Sequence, residues 1–191
     1  MHFLSLFLAL LSLSAVANDA SNECVYNCPS VSFGMVKTFG SVSDLLERGT
    51  HFSFGYTPKL GFEKMNQFLE SNSNSFISHL KLNLTADWIH LTGNKYDRSA
   101  NYIAPMIHAN WTKPIFTGRI VGSVGYGLGR LESSRTGASK NEWTSTAGLK
   151  TFYQKEMLHG LVGVGVEISS IFNKNNPINM YGSFVNYAYQ F

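Results

Sequence analysis

Met180-Tyr181-Gly182-Ser183-Phe184-Val185-Asn186-Tyr187-Ala188-Tyr189-Gln190-Phe191 is the stretch of sequence that decides the fold. Every second residue counted back from Phe191 is aromatic or apolar, apart from Ser183, and the residues between them are mostly small or polar. This period of two predicts a β-strand, because successive side chains of a strand point to opposite faces. A strand with one aromatic, apolar face is expected to lie against a non-aqueous surrounding.

The first residues of the chain predict export. Residues 3–13 are almost entirely Leu, Phe, Ala and Ser, and the small-x-small pattern Ala15-Val16-Ala17 follows them. This arrangement is typical of a secretory signal peptide that is cleaved after Ala17. The apolar run, about eleven residues long, is too short to span a bilayer as a helix. We therefore predict a signal peptide at residues 1–17.

Composition restricts the class of protein. The formal net charge is +3, 14% of residues are charged and 14% are aromatic, whereas about a quarter of the residues of a soluble protein are charged. No basic run points to nucleic acid as a partner. The only two cysteines, Cys24 and Cys28, are expected to form a small disulfide in an oxidising compartment. No metal site is predicted, because no group of histidines adjoins them.

The rest of the chain alternates in the same way between turn-rich breaks, which predicts eight strands. They lie at 31–40, 51–59, 75–88, 101–112, 116–129, 143–154, 159–172 and 180–191. The fold class is therefore all-β, an eight-stranded antiparallel up-and-down barrel at 31–191, preceded by a segment at 18–30 that carries the cysteines.

Two kinds of barrel share this alternation. A soluble barrel places the apolar face inside, whereas a transmembrane barrel turns it outward to lipid and keeps small polar residues inside. Strands of ten or more residues, glycines on the polar face and aromatic residues near the strand ends favour the transmembrane barrel. We also expect short turns at 113–115 and 155–158 and longer outer loops at 41–50, 89–100, 130–142 and 173–179. The connection at 60–74, with a short helix at 62–70, breaks this rule.

With this pattern the chain resembles the small bacterial outer-membrane barrels of the OmpA/OmpX kind. The resemblance rests on the overall pattern and on the terminal aromatic residues Tyr187, Tyr189 and Phe191. It implies a Gram-negative outer-membrane location, contact with outer-membrane lipid and lipopolysaccharide, and assembly by the outer-membrane machinery that reads the last strand, with Phe191 as the recognition residue. It implies no single activity.

Simple strand pairing brings several inward-facing basic residues to similar heights in the half of the barrel nearer the periplasm. They are His79, Lys81, His108, Arg119 and Lys150. We interpret them as an interior polar network, with an anion or lipid-phosphate site as the sharper alternative. Asp87 and Glu167 are expected higher, towards the outside.

An enzyme is the second hypothesis, since some barrels of this size modify lipid A as deacylases or acyltransferases. A serine hydrolase needs Ser, His and a carboxylate within hydrogen-bond reach, and the best candidates are His108, Glu167 and Ser169. The deacylases place a His two residues before a Ser, whereas His108 is followed by Ala109 and Asn110. No catalytic residue is therefore assigned.

The sequence accordingly predicts a non-enzymatic outer-membrane barrel without a cofactor. Its outer loops are expected to contact a host surface, lipopolysaccharide or another cell, in adhesion or envelope integrity. A lipid A-modifying enzyme and an exported soluble barrel that binds a small apolar ligand are the alternatives.

Overall fold

The computed structural model describes residues 28–58, 80–93, 98–135, 138–157, 160–174 and 176–189. These residues form eight strands. The strands are β1 (Cys28–Phe39), β2 (Arg48–Thr57), β3 (Leu80–Gly93), β4 (Arg98–Ile115), β5 (Gly118–Arg135), β6 (Ala138–Met157), β7 (Gly160–Phe172) and β8 (Ile178–Tyr189). No helix among the described residues is long and apolar enough to cross a membrane.

The strands form one closed barrel in chain order. Each strand pairs antiparallel with the next, and β1 pairs with β8 to close the ring. The predicted all-β, eight-stranded up-and-down barrel is therefore confirmed. We call the end where β1 starts and β8 stops the terminal end, and the opposite end, which carries the β1–β2 connection, the loop end.

Alternation sets the two faces of the barrel wall. Large apolar side chains project outward, for example Phe33, Ile103 and Leu128, each more than half exposed. Inward positions over the terminal-end and middle parts of the barrel are mostly small, polar or charged, with Val121, Leu161 and Phe184 among them, and those near the loop end are mostly apolar. This orientation is the one expected of a transmembrane barrel and the reverse of a soluble barrel.

Two predicted loops are wrong. The predicted loop at 89–100 is shortened by extension of β3 and β4, which remain paired as far as Gly93 and Arg98. The predicted loop at 130–142 is a hairpin, in which β5 and β6 stay in register from Arg130–Trp143 to Arg135–Ala138. Both faces of this hairpin are largely polar, and a polar strand without clear alternation resembles a loop in sequence.

The turn between β4 and β5 also differs from the prediction. It consists of Phe116 and Thr117, and Phe116 has a φ of 50°, a left-handed conformation that is uncommon outside glycine and asparagine. Consequently Arg119 lies opposite Pro114, while His108 lies opposite Gly125. The prediction that Arg119 and His108 lie at similar heights is therefore wrong, because the turn comes later in the chain than expected.

Four further predictions lie partly or wholly outside the described residues. The signal peptide, the helix at 62–70, Cys24 and Phe191 are all outside them. Cys28 belongs to β1 and is buried and disulfide-bonded, but its pairing with Cys24 stays a prediction. Tyr187 and Tyr189 lie on β8, opposite Val162 and Gly160 of β7.

The segment that joins β1 to β2 folds over the loop end of the barrel. Backbone hydrogen bonds connect this segment to β1 and β3. The Thr38 N–H of β1 donates to Glu47 O at 3.0 Å, and the Glu47 N–H donates to Thr92 O of β3 at 2.9 Å. The Thr38 hydroxyl also donates to the carbonyl of Leu46. The Leu46 side chain is thereby held inside, where it is 7% exposed.

Candidate functional site

The interior of the barrel is divided into three layers along its axis. An apolar layer lies nearest the loop end. Its described members are Val36, Leu46, Ile89, Leu91, Ala100, Tyr102, Ala104, Met106, Leu131, Ile171, Ile178 and Met180. A group of buried charges lies below it, and a polar layer fills the terminal end. The described interior is thus packed with side chains, as expected for eight strands.

The middle layer is a group of four residues that we call the charge cluster: His51, Asp87, Lys150 and Glu167. His51 Nδ1 lies 2.8 and 2.9 Å from the two carboxylate oxygens of Glu167. His51 Nε2 lies 3.0 Å from Asp87 Oδ2. Lys150 Nζ lies 3.6 Å from Asp87 and 3.7 Å from Glu167. One cation therefore bridges the two carboxylates by hydrogen bonds, and a second lies between them at longer range.

The charges of this cluster balance. A carboxylate accepts hydrogen bonds only, so both ring nitrogens of His51 donate and the ring is an imidazolium. With Lys150, two cations then face two carboxylates. Ser53 also stabilises the Asp87 carboxylate, because its hydroxyl donates a hydrogen bond to Asp87 Oδ1 at 2.7 Å. This pairing stabilises the buried charges, because an unpaired ion in the interior would lower the stability of the fold by roughly several kcal/mol.

The polar layer surrounds a small cavity of about 80 Å³ at the terminal end. Lys81 and Arg119 both line it. Arg119 Nε donates to Gln154 Oε1 at 3.2 Å, and Gln154 Nε2 donates to Asn186 Oδ1 at 2.9 Å. The side chains of this layer thus form a hydrogen-bonded chain across β5, β6 and β8.

The predicted basic group is divided between these layers. Lys81 and Arg119 share the terminal-end cavity, whereas His108 is bonded to the hydroxyl of Ser123 at 3.1 Å. Lys150 belongs to the charge cluster, because it lies directly opposite Glu167 in the β6–β7 register. The prediction that Lys150 belongs to a basic group, with Glu167 nearer the outside, is therefore wrong, since the two residues lie at the same height. His79 lies outside the described residues.

The candidate catalytic residues do not assemble. Glu167 is engaged by His51 and Lys150, His108 bonds Ser123, and no hydrogen bond among the described residues links them to Ser169. Ser53 cannot replace Ser169 in a triad, since its hydroxyl faces Asp87 and not a histidine. The His, Asp and Glu residues of the charge cluster are also buried, with 2–5% of their surface exposed. The described residues contain no group arranged as metal ligands.

Sequence reasoning missed His51 and Ser53. Both occupy the polar face of β2, alternating with Phe52, Phe54 and Tyr56, and this parity alone places them inside. Their partner could not be identified without the β2–β3 register, in which Ser53 lies opposite Asp87. That register depends on a connection whose length the alternation does not fix.

Comparison with known proteins supports the fold. No protein-family model and no curated protein matches the sequence. Neisserial surface protein A is similar in structure, with a TM-score of 0.57 and 10% identity over 86% of this chain and 96% of that chain. The N-terminal β-barrel domain of Pseudomonas aeruginosa OprF gives a TM-score of 0.51 and 10% identity over 86% and 98%. These similarities establish that the chain has the fold of small eight-stranded outer-membrane barrels.

Proposed function

We propose that this protein is a non-enzymatic outer-membrane barrel that acts through its loop end. The similar solved structures are outer-membrane proteins or their domains, which supports this location. The apolar exterior supports insertion into a bilayer. The three packed layers leave the loop end as the part of the described structure that can meet a partner outside the cell.

The observation that carries this proposal is the hairpin formed by the ends of β5 and β6. The ladder between β6 and β7 begins only at Ser145. Among the described residues, Thr144 reaches β7 through its hydroxyl, which donates to the carbonyl of Phe172, and residues 138–143 have no ladder partner on β7. Residues 138–141 are exposed regardless of parity, unlike the rest of β6. An exposed strand edge with polar side chains offers backbone donors and acceptors to a partner.

Location is tested by fractionation and by gel mobility without heating. The folded barrel is expected in the outer-membrane fraction, migrating differently from the heated chain. Recovery in the soluble periplasm would reject the proposal.

Removal of Phe191 is expected to reduce assembly, since we propose that Tyr187, Tyr189 and Phe191 are read by the assembly machinery. Normal insertion without Phe191 would reject that role.

Surface contact is tested by shortening the hairpin. Replacing residues 133–140 by Asn-Gly joins Glu132 to Asn141, which are cross-strand partners, so the barrel below is preserved. Bacteria that carry this variant should bind less to host cells or matrix than bacteria with the unaltered protein. Replacing the opposite-end turn, Phe116-Thr117, by Asn-Gly is the control. Equal loss of binding in both variants, or none in either, would contradict a role of the hairpin.

Lipid A modification is tested by mass spectrometry of lipid A from expressing cells. An unchanged spectrum is expected, because the described His, Ser and carboxylate side chains do not form a triad. A new deacylated or acylated species would overturn the non-enzymatic assignment.

A further inference from the structure

A pocket of about 420 Å³ opens at the loop end, above the apolar layer. Its volume lies in the range of about 300–1,000 Å³ that is typical of small-ligand sites. The floor is apolar and includes Leu46 and Leu131, which belong to the apolar layer, together with Leu45. The wall carries Arg98, Arg135 and Lys140, and its other polar members are neutral serines and asparagines. The pocket thus combines an apolar floor with a cationic wall.

The two arginines occupy opposite positions of one strand pair. Arg98 and Arg135 are cross-strand partners at the ends of β4 and β5. Each has the inward parity of its strand, shared with Ala100 on β4 and Leu131 on β5. Like charges directly opposite one another destabilise a strand pair. Two guanidinium groups on one wall of the pocket can both donate hydrogen bonds to one anion.

Lys140 adds a third positive charge from the next strand. It lies opposite Ser133, on the parity that faces the same pocket. Its ammonium also lies 3.1 Å from Glu142, and its side chain is 64% exposed. The arginine pair therefore supplies the main charge of the wall, and Lys140 is a peripheral contributor.

We propose that this pocket binds an anionic amphiphile whose head group is a phosphate monoester. The proposal deepens the proposed function and rests on it, since it names a ligand class for the loop end. Guanidinium groups bind phosphate oxygens in pairs, with a geometry that an ammonium does not offer. The floor of leucines would take an alkyl chain, which favours an amphiphile over a sulfated sugar, because the sugar has no apolar chain to place against that floor.

The test uses the full barrel in phosphatidylcholine nanodiscs, titrated calorimetrically with hexyl phosphate. This probe carries both features of the ligand and remains monomeric in water. Inorganic phosphate lacks the alkyl chain, and hexanol lacks the phosphate. The affinity of each should therefore be lower than that of hexyl phosphate by about tenfold or more. Binding of hexyl phosphate should weaken as salt is raised.

Variants locate the binding to the two parts of the pocket. Arg98→Gln and Arg135→Gln should each weaken hexyl phosphate about tenfold, the effect of losing a charged hydrogen bond. Arg130→Gln is the matched control, because Arg130 lies on the same strand as Arg135, is exposed, and does not line the pocket. Leu45→Ser should weaken hexyl phosphate while leaving inorganic phosphate unchanged. Heat-dependent gel mobility verifies that each variant is folded.

Three results would overturn the inference. They are the absence of saturable binding, equal effects of Arg130→Gln and Arg135→Gln, and preferential binding of a fully sulfated disaccharide with no gain from an alkyl chain. Any of these, obtained while hairpin shortening still reduces cell binding, would remove the ligand class and leave the proposed surface function standing. Recovery of the protein in the periplasm would instead remove the proposed function itself.

Discussion

The apolar layer and the charge cluster occupy neighbouring levels of the same barrel and are packed by opposite means. Near the loop end, Leu91, Leu131 and Met180 fill the interior almost without exposure. One level below, His51, Asp87 and Glu167 are also buried, at 2–5% exposure, yet each is charged. The wall around both levels follows one alternation, so alternation determines which residues face inward but not what chemistry fills the space.

The two levels are therefore stabilised by different interactions. Apolar packing is non-directional and tolerates changes that conserve volume. A buried charge cluster depends on every partner, because the loss of one leaves another charge buried and unpaired. The charge cluster should therefore respond more sharply to a single substitution than the apolar layer does, and the following variants test that order.

The largest effect is expected for Lys150→Met. This change leaves one imidazolium against two buried carboxylates and should lower the free energy of unfolding by roughly 4 kcal/mol. Urea unfolding of the barrel in phosphatidylcholine vesicles, followed by tryptophan fluorescence, measures the loss. The double variant Lys150→Met with Glu167→Gln restores one cation and one anion. It should therefore lose clearly less than the sum of the two single variants, and additive losses would show that the four charges are not coupled.

A smaller effect is expected for Leu131→Ala in the apolar layer. Leu131 is 1% exposed, and its truncation should cost roughly 3 kcal/mol, part of which comes from the cavity left behind. Leu128→Ala is the control on the same strand, since Leu128 faces outward and is 58% exposed. Lipid chains can fill the space it leaves, so its loss should be smaller by about 1 kcal/mol or more. Equal losses would mean that the apolar layer is not tightly packed.

Gly125→Ala tests the junction between the charge cluster and the polar layer. A Cβ at this position would clash with Cε1 of the His108 ring, so the ring, which is hydrogen-bonded to Ser123, would have to shift. We expect a loss of roughly 2 kcal/mol, typical of overpacking. Gly148→Ala is the control, because its Cβ would be 3.2 Å from the nearest atom, the Cβ of Ser169. Similar losses at both glycines would contradict a specific role for the space at Gly125.

The fold could be predicted from the sequence because a single physical rule, the period of two, acts along every strand. The positions of Asp87 and Glu167 on inward faces follow from that rule alone. The charge cluster could not be predicted, because it requires the β2–β3 and β6–β7 registers. Those registers are set by turn geometry and packing, and a shift of one residue reverses every side chain of a strand.

The hairpin at the loop end was missed for a different reason. Residues 138–141 are exposed on both faces, so no hydrophobic alternation marks them as a strand. They are part of the sheet because their backbone pairs with β5. The arginine pair of the pocket was missed with the hairpin, since Arg98 and Arg135 become neighbours only when both strands are extended.

The smallest effect is expected for Lys140→Met, which breaks an ion pair as Lys150→Met does but at an exposed site. Lys140 Nζ lies 3.1 Å from Glu142, closer than Lys150 lies to either of its carboxylates. Distance alone would therefore rank Lys140 first. Water and salt screen the exposed pair, so its loss should cost only about 0.2–1 kcal/mol and should shrink further at high salt. The same unfolding measurement, made on both lysine variants, decides whether burial or distance sets the strength of these pairs, and a larger loss at Lys140 would contradict the buried charge cluster.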